Sequence, residues 1–362
     1  MIWTVILTLV LGGGIVKTSF DPQLSTQEWD FASVMVYGDD EDEVLGKNVA
    51  NVVATNGSYY LLDTQLEAVT RIFLDGTHET ISISGEGPGE CTKPMNMIQW
   101  PDEFHLGIYS PYPPGKLVNN FGTCTKWPDC SCPQNFSFGL DNSLGRHISY
   151  NSTADMFVIN LLEVEIENLE AERGVSYYRM SLFDGGGKRI ADVYEEAMLY
   201  MPGLARFPHW WIDIAQRALA PSSLFFIPDD SYTINQYSFS GDLLQVIVQD
   251  DYPRREMILA EEEYYLNLDT YAPDIYGLYW LDDRLLVLNS HGLVGESLSF
   301  DSYSFGNEVK MSKVVLPGVR PSPTARYFWL NKDCLAVVYG AMQASVGTSE
   351  IHEVEVFQRS EP

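Results

Sequence analysis

Basic residues are scarce in this chain. Lys and Arg number 22 against 50 Asp and Glu, a formal net charge of −28 over 362 residues. Binding nucleic acid requires lysine and arginine to neutralise phosphates, so the balance excludes nucleic acid as a partner class. It also works against direct contact with an anionic membrane surface. A cationic partner or Ca2+ suits such a field, and solubility alone accounts for it as well.

Catalytic signatures are missing too. There is no G-x-S-x-G elbow, no H-E-x-x-H, no G-x-x-x-x-G-K and no C-x-x-C. Six histidines, His78, His105, His147, His209, His291 and His352, are scattered without ligand spacing. Carboxylates are so plentiful that any two make an acid/base pair on paper, which singles out none.

Cysteine is sparse, with five residues at Cys91, Cys124, Cys130, Cys132 and Cys334. Cys124, Cys130 and Cys132 share one loop with Trp127, Pro128 and Pro133. Three thiols fall short of a four-ligand zinc set, and His105 and His147 are the nearest histidines. In an exported protein a local disulfide from Cys124 to Cys130 or Cys132 is the simpler expectation, with Cys91 available to the third. The odd count leaves a thiol over.

Long apolar runs are absent after the start. Met1 to Val16, MIWTVILTLVLGGGIV, is short for a membrane span and resembles a signal-peptide core, though it lacks a basic n-region and a small-x-small cleavage site. Residues 1–17 are accordingly expected to be a signal peptide or a membrane anchor, the alternative being a buried first strand. Either of the first two places the protein outside the cytoplasm: periplasmic, secreted or anchored at its N-terminus.

What the chain has in quantity is strand and turn material: 45% hydrophobic residues, 13% aromatics, 21 tyrosines, 28 glycines and 19 prolines. That composition excludes a disordered chain and favours strands joined by tight turns. The clearest stretch is Asn51 to Cys91. Val52–Ala54 leads to the hairpin pair Asn56-Gly57, and Tyr59–Leu62 follows as a second strand. Val69–Leu74, the turn Asp75-Gly76 and Glu79–Ile83 complete four antiparallel strands, the blade unit of a propeller. Gly85, Gly87, Pro88 and Gly89 come next. A dinucleotide loop needs a helix to follow, which Pro88 and Pro94 oppose, so these residues read as a crossover between blades.

The pattern NG-x-Y-Y-L-L-D, then V-x-R-I-F-L-D-G, then GEGPGE resembles six-bladed β-propeller proteins of the NHL-like type. That group is common among bacterial secreted proteins and carries a G-x-GPGEF element, whose phenylalanine is Cys91 here. The resemblance is specific over Asn51–Cys91, looser from about Ala220 to Gln358, and fails between Tyr109 and Leu144. It implies the fold and export, and no single activity.

The remaining blades are placed by turn spacing. The expected fold is an all-β, six-bladed β-propeller over residues 30–358, with four-stranded antiparallel blades; seven blades fit the spacing as an alternative. Phe31 to Tyr37 is expected to pair with the last strand, closing the ring. Thr18 to Trp29 is polar and leads into the fold. Blade two runs from Pro94–Ile98 through Phe104–Tyr109 to Lys116–Phe121. Blade three uses Ile148–Tyr150, Met156–Leu162, Val175–Phe183 and Arg189–Val193, with Glu163–Arg173 as an unusually long hairpin. Blade four uses Ser223–Ile227, Tyr232–Tyr237 and Leu243–Val248. Blade five uses Tyr276–Leu281, Arg284–Asn289, Leu298–Tyr303 and Val309–Val315, and blade six Tyr327–Leu330, Leu335–Tyr339 and Glu350–Gln358. Insertions are expected at about 110–144, at 195–218 with helical character, and at 250–272 as a short amphipathic helix.

Two further stretches bear on partners. The acidic run Asp39-Asp40-Glu41-Asp42-Glu43 lacks the spaced ligands and glycine of an EF-hand and reads as a solvated loop, with Ca2+ the alternative. His209, Trp210 and Trp211 make a candidate binding surface, core packing being the other fate of such residues. Three N-x-S/T sequons start at Asn56, Asn135 and Asn151. The functional expectation is a non-enzymatic binding or scaffold propeller. Its partner is a protein, peptide or glycan, or it forms an extrinsic subunit of a membrane-associated assembly. No cofactor is expected. The alternative is a Ca2+-dependent, lactonase- or esterase-like hydrolase with its site at the central channel.

Overall fold

The computed structural model describes residues 14–18, 24–38, 49–55, 58–73, 75–84, 94, 96–99, 105–110, 116–122, 136–138, 144–168, 173–200, 217–257, 271–322, 326–330, 334–343 and 348–360. Among these residues the regular elements are all strands. The N-terminal stretch supplies β1 (Gly14–Lys17), β2 (Thr26–Glu28) and β3 (Phe31–Tyr37). Sheet one follows as β4 (Val49–Thr55), β5 (Ser58–Asp63), β6 (Ala68–Phe73) and β7 (His78–Ser82). Sheet two is β8 (Asn96–Gln99), β9 (His105–Ser110), β10 (Lys116–Gly122) and β11 (Phe136–Ser137). Sheet three is β12 (Leu144–Asn151), β13 (Met156–Asn168), β14 (Arg173–Asp184) and β15 (Arg189–Tyr200). Sheet four is β16 (Arg217–Ala220), β17 (Ser223–Phe226), β18 (Thr233–Ser238) and β19 (Leu243–Val248). Sheet five is β20 (Ile275–Leu281), β21 (Arg284–Asn289), β22 (Leu298–Ser304) and β23 (Lys310–Leu316). Sheet six is β24 (Arg326–Leu330), β25 (Cys334–Gln343) and β26 (Thr348–Arg359), with β3 on its outer edge.

The consecutive strands of each sheet form an antiparallel meander, and sheets four and five each carry a fifth strand, β1 and β2, paired in parallel at the outer edge. The first strands touch in sequence: β4 with β8, β8 with β12, β12 with β16, β16 with β20, β20 with β24, and β24 with β4. Antiparallel sheets arrayed radially around such a cycle of inner strands form a β-propeller.

The turns follow from local chemistry. Asp282 and Asp283 both adopt positive φ (49° and 56°) between β20 and β21, the conformation of a two-residue hairpin. Gly241, at φ 93°, sits in the turn before β19, where a side chain is strained. Packing explains the near-continuous apolar runs. In β13, Phe157, Ile159 and Leu161 join a cluster with Ile98 and Phe138 of sheet two. Met156 and Val158 alternate with them and pack on Leu224 and Phe226 of sheet four. A sheet covered on both faces loses the polar half of its alternation.

Closure is carried by β3. It pairs antiparallel with β26, Tyr37 opposite Val354 and Phe31 opposite Arg359. Trp29, Phe31, Met35 and Tyr37 are buried by it, and each such side chain contributes about 1.5–3 kcal/mol. Arg359 lies 4.1 Å over the Trp29 ring and reaches Asp282 of sheet five at 3.0 Å.

Several sequence expectations need correction. Thr18–Trp29 is more than a lead-in, because β2 pairs in parallel with β23. Likewise β1 pairs in parallel with β19, so residues 14–17 belong to the edge of sheet four; residues 1–13 lie outside the described residues. The long hairpin expected at Glu163–Arg173 is present, and all but its tip is paired strand. The strands run on to Asn168 and resume at Arg173, because each partner offers a ladder to extend along. The segment 195–218 is not a helical insertion in its described parts: 195–200 continue β15 and 217–220 form β16. Arg217-Ala-Leu-Ala favours helix by composition, and pairing with Ser223–Phe226 overrides that preference. Within 110–144, Phe136–Ser137 is the fourth strand of sheet two. Residues 250–257 contain no helix, and an isolated bridge joins Glu256 to Tyr271.

Candidate functional site

Chemistry-bearing side chains gather where sheet four meets its neighbours. Toward sheet five, the turn before β18 delivers Tyr232 into the interface. Its hydroxyl donates to Asp301 Oδ2 at 2.6 Å, and Asn289 Nδ2 donates to the same oxygen at 2.7 Å. Tyr303 donates to the Tyr232 hydroxyl at 3.1 Å, and the Gly292 amide donates to Asn289 Oδ1 at 2.8 Å. All of these side chains are buried. Burial raises the Asp301 carboxyl above its ordinary range, against the pull of its two donors. Burial and the Asp301 charge raise Tyr232 far above a normal phenol.

Asp274, just before β20, accepts from the Tyr232 amide at 3.1 Å and from Arg254 Nε at 3.3 Å. Tyr252 and Ser290 share a hydrogen bond of 2.9 Å, and His291 Nε2 lies 2.7 Å from the Pro253 carbonyl. An aspartate, a histidine and tyrosines together look like acid/base equipment. Here the hydroxyl and amide groups around Asp301 spend their hydrogen bonds on one another inside the interface, which makes them mortar between sheets.

Toward sheet three the arrangement is different. Arg217, the first residue of β16, is 6% exposed. Its Nε donates to Ser149 Oγ on β12 at 2.8 Å, and its Nη1 donates to Asn160 Oδ1 on β13. Its Nη2 is buried with no hydrogen-bond partner among the described residues. Burial alone pulls the guanidinium down to about 9, and no carboxylate among the described residues offsets it. Taking a cation out of water costs several kcal/mol unless an anion compensates. Asn96, the first residue of β8, is 1% exposed, and neither of its amide atoms has a partner among the described residues.

The residues singled out from sequence fare unevenly. His209, Trp210, Trp211, Cys124, Cys130, Cys132, Cys91, Gly85, Gly87, Pro88, Gly89 and the run 39–43 lie outside the described residues. Cys334 is a buried thiol. Asn151 is unsuited to carry a glycan: its side chain is buried, donating to the Ala220 carbonyl at 2.7 Å and accepting from the Ala154 amide at 2.8 Å. His78 packs edge-on against Tyr37 at 5.2 Å. Among the described residues no three His, Cys, Asp or Glu side chains converge as a metal site. Sequence reasoning missed Arg217, Asn160, Tyr232, Asp301 and Asn289. The available signal was an arginine heading a short strand before a Ser-Leu-Phe-Phe partner.

No family model matches the chain, and no curated protein sequence matches it. Among solved structures, a putative exported protein from Bacteroides fragilis is 11% identical with a TM-score of 0.48, over 96% of this chain and 99% of the other. The calcium-binding protein regucalcin from Agrobacterium tumefaciens is 9% identical with a TM-score of 0.44, over 92% and 97%. A streptogramin B lyase is 8% identical with a TM-score of 0.43, over 90% and 98%. Likeness at this level adds nothing to the fold or the function, which rest on the geometry above.

Proposed function

We propose that the protein is an extracytoplasmic, non-enzymatic propeller that binds a protein, peptide or glycan partner or serves as an extrinsic subunit of a membrane-associated assembly. In this reading the six sheets are six blades of the NHL-like type, with sheet two, which ends in a strand of 2 residues, the slightest of them.

One observation carries it: two β-ribbons outgrow the ring on opposite sides of one face. In sheet three, β13 pairs with β12 as far as Leu162, then runs on to Asn168 with β14 its one partner among the described residues. The overhang is about 20 Å at 3.3 Å per residue, and β15 follows it out to Tyr200. In sheet six, β25 passes its last pair with β24 at Val338 and continues to Gln343 against β26. Every sheet meanders outward from its inner strand, so second-to-third strand connections leave on one face. Sheets three and six stand three steps apart in the cycle of contacts. Neither overhang serves ring closure. Surplus structure flanking one face of a rigid scaffold is how propellers present partner surfaces.

The hydrolase alternative needs carboxylates around a central Ca2+. A guanidinium with no counter-charge among the described residues, heading an inner strand, works against a divalent cation beside it, which favours the binding reading.

The test replaces 163–177 and 340–351 by two-residue Asn-Gly turns, separately and together. Full-length and shortened chains are then used for affinity capture from the native host after mild membrane solubilisation. A stoichiometric partner lost on shortening, with the melting temperature of the ring kept, supports the reading. A partner retained by the doubly shortened chain, or no partner together with esterase activity, overturns it.

A further inference from the structure

Independently of the ribbons, we infer that Arg217 is the receptor of a small oxyanion, a carboxylate or phosphate group, at the head of β16 between sheets three and four. A guanidinium carries five N–H donors. Two are spent, on the neutral acceptors Ser149 Oγ and Asn160 Oδ1. Three remain, one on Nη1 and two on Nη2, and Nη2 is buried with no partner among the described residues. Arginines buried for structural reasons are paired with carboxylates, since the pair recovers the desolvation cost that each ion incurs alone. This one has no such pair among the described residues.

The two spent bonds fix the plane of the guanidinium and hold its free edge in place. That is the preorganisation a receptor for a planar or tetrahedral oxyanion requires. The surroundings explain why the cation must be buried. A chain of net charge −28 repels anions at its surface, whereas a desolvated cation exerts its attraction with little screening. Position agrees as well. Arg217 is the first residue of its inner strand, so it lies toward the face from which the ribbons depart. Asn96 heads the inner strand two sheets earlier, with amide donor and acceptor both unpartnered. The heads of these inner strands thus offer buried polar groups whose hydrogen bonds the described residues leave unmade.

Asn160 supplies the sharpest test. Asn160→Asp places a carboxylate on Nη1 at constant shape and so provides the missing anion within the chain. Thermal unfolding of the full chain is followed in acetate, in inorganic phosphate and in chloride at matched ionic strength and pH 7. For wild type, acetate or phosphate is expected to raise the midpoint saturably by on the order of 2–4 °C over chloride. A response to acetate alone assigns a carboxylate ligand, and a response to phosphate alone assigns a phosphate. Asn160→Asp is expected to melt above wild type and to have lost the response; Arg217→Met is expected to lose it also. Equal responses in all three proteins, no response in wild type, or an Asn160→Asp chain that melts below wild type would each overturn the assignment. Should Arg217→Met fail to fold, the Asn160→Asp comparison decides alone.

Discussion

Sheet four is joined to its two neighbours in opposite ways. On the sheet five side, Asp301 is buried with two donors on one oxygen, and Tyr303, Tyr232 and Asn289 complete a chain in which each group answers another. On the sheet three side, a buried cation has, among the described residues, only neutral acceptors and one nitrogen with none. The contrast separates two uses of a buried polar group. One is satisfied within the fold and fixes how blades dock; the other is left open, which costs stability and is retained where something outside the fold completes it.

The largest expected effect breaks the satisfied side. Asp301→Ala strands the Tyr232 hydroxyl and the Asn289 amide together. At about 1–3 kcal/mol per buried unsatisfied group, the loss should reach about 2–5 kcal/mol by denaturant unfolding. A cost below 1 kcal/mol would mean that the network is not what docks these sheets. Tyr232→Phe removes one donor and leaves Asn289 in place, so about 1–2 kcal/mol is expected.

The fold was legible wherever turn chemistry was local. Asn56-Gly57 and Asp75-Gly76 each marked a hairpin, and strands such as Arg284–Asn289 came out at the bounds they have in the structure. Phe31–Tyr37 was readable as the closing strand because a lone strand at one end of a chain of blades has one edge left to fill. Legibility failed where tertiary pairing overrode local preference. Arg217-Ala-Leu-Ala reads as helix, and small residues suit an inner strand where adjacent sheets crowd together. Glu195–Tyr200 is a strand only because β14 is long enough to pair with it. The interface network was out of reach altogether: Tyr232 and Asp301 stand 69 residues apart, and only the ring brings them together.

Acid titration sharpens the comparison at smaller amplitude. Burial raises the folded-state value of Asp301 above its unfolded value near 3.9. Its folded state therefore holds the proton more tightly. The associated stability is fully present below about pH 4 and is lost as pH rises through the folded value. Asp301→Asn has no such titration. The free energy of wild type minus that of Asp301→Asn should therefore fall from pH 4 toward neutrality and then level off, by chemical denaturation at each pH. A difference that rises over this range would show that the two donors outweigh burial.

The smallest effect belongs to the open side, and its smallness is the point. Removing an arginine that is 6% exposed ordinarily costs several kcal/mol, because a buried partner carboxylate is left behind. Among the described residues Arg217 leaves behind only Ser149 and Asn160, both neutral. The folded state is also relieved of a cation that burial already pulls down to about 9. That penalty is in force throughout the range below pH 9 and fades only as pH climbs toward the unfolded value, so it applies fully at pH 7. Arg217→Met keeps much of the volume and removes the charge. Its stability without added oxyanions should lie within about 1 kcal/mol of wild type or above it. A loss of the size expected for Asp301→Ala would make the two sides of sheet four alike, and Arg217 one more piece of mortar.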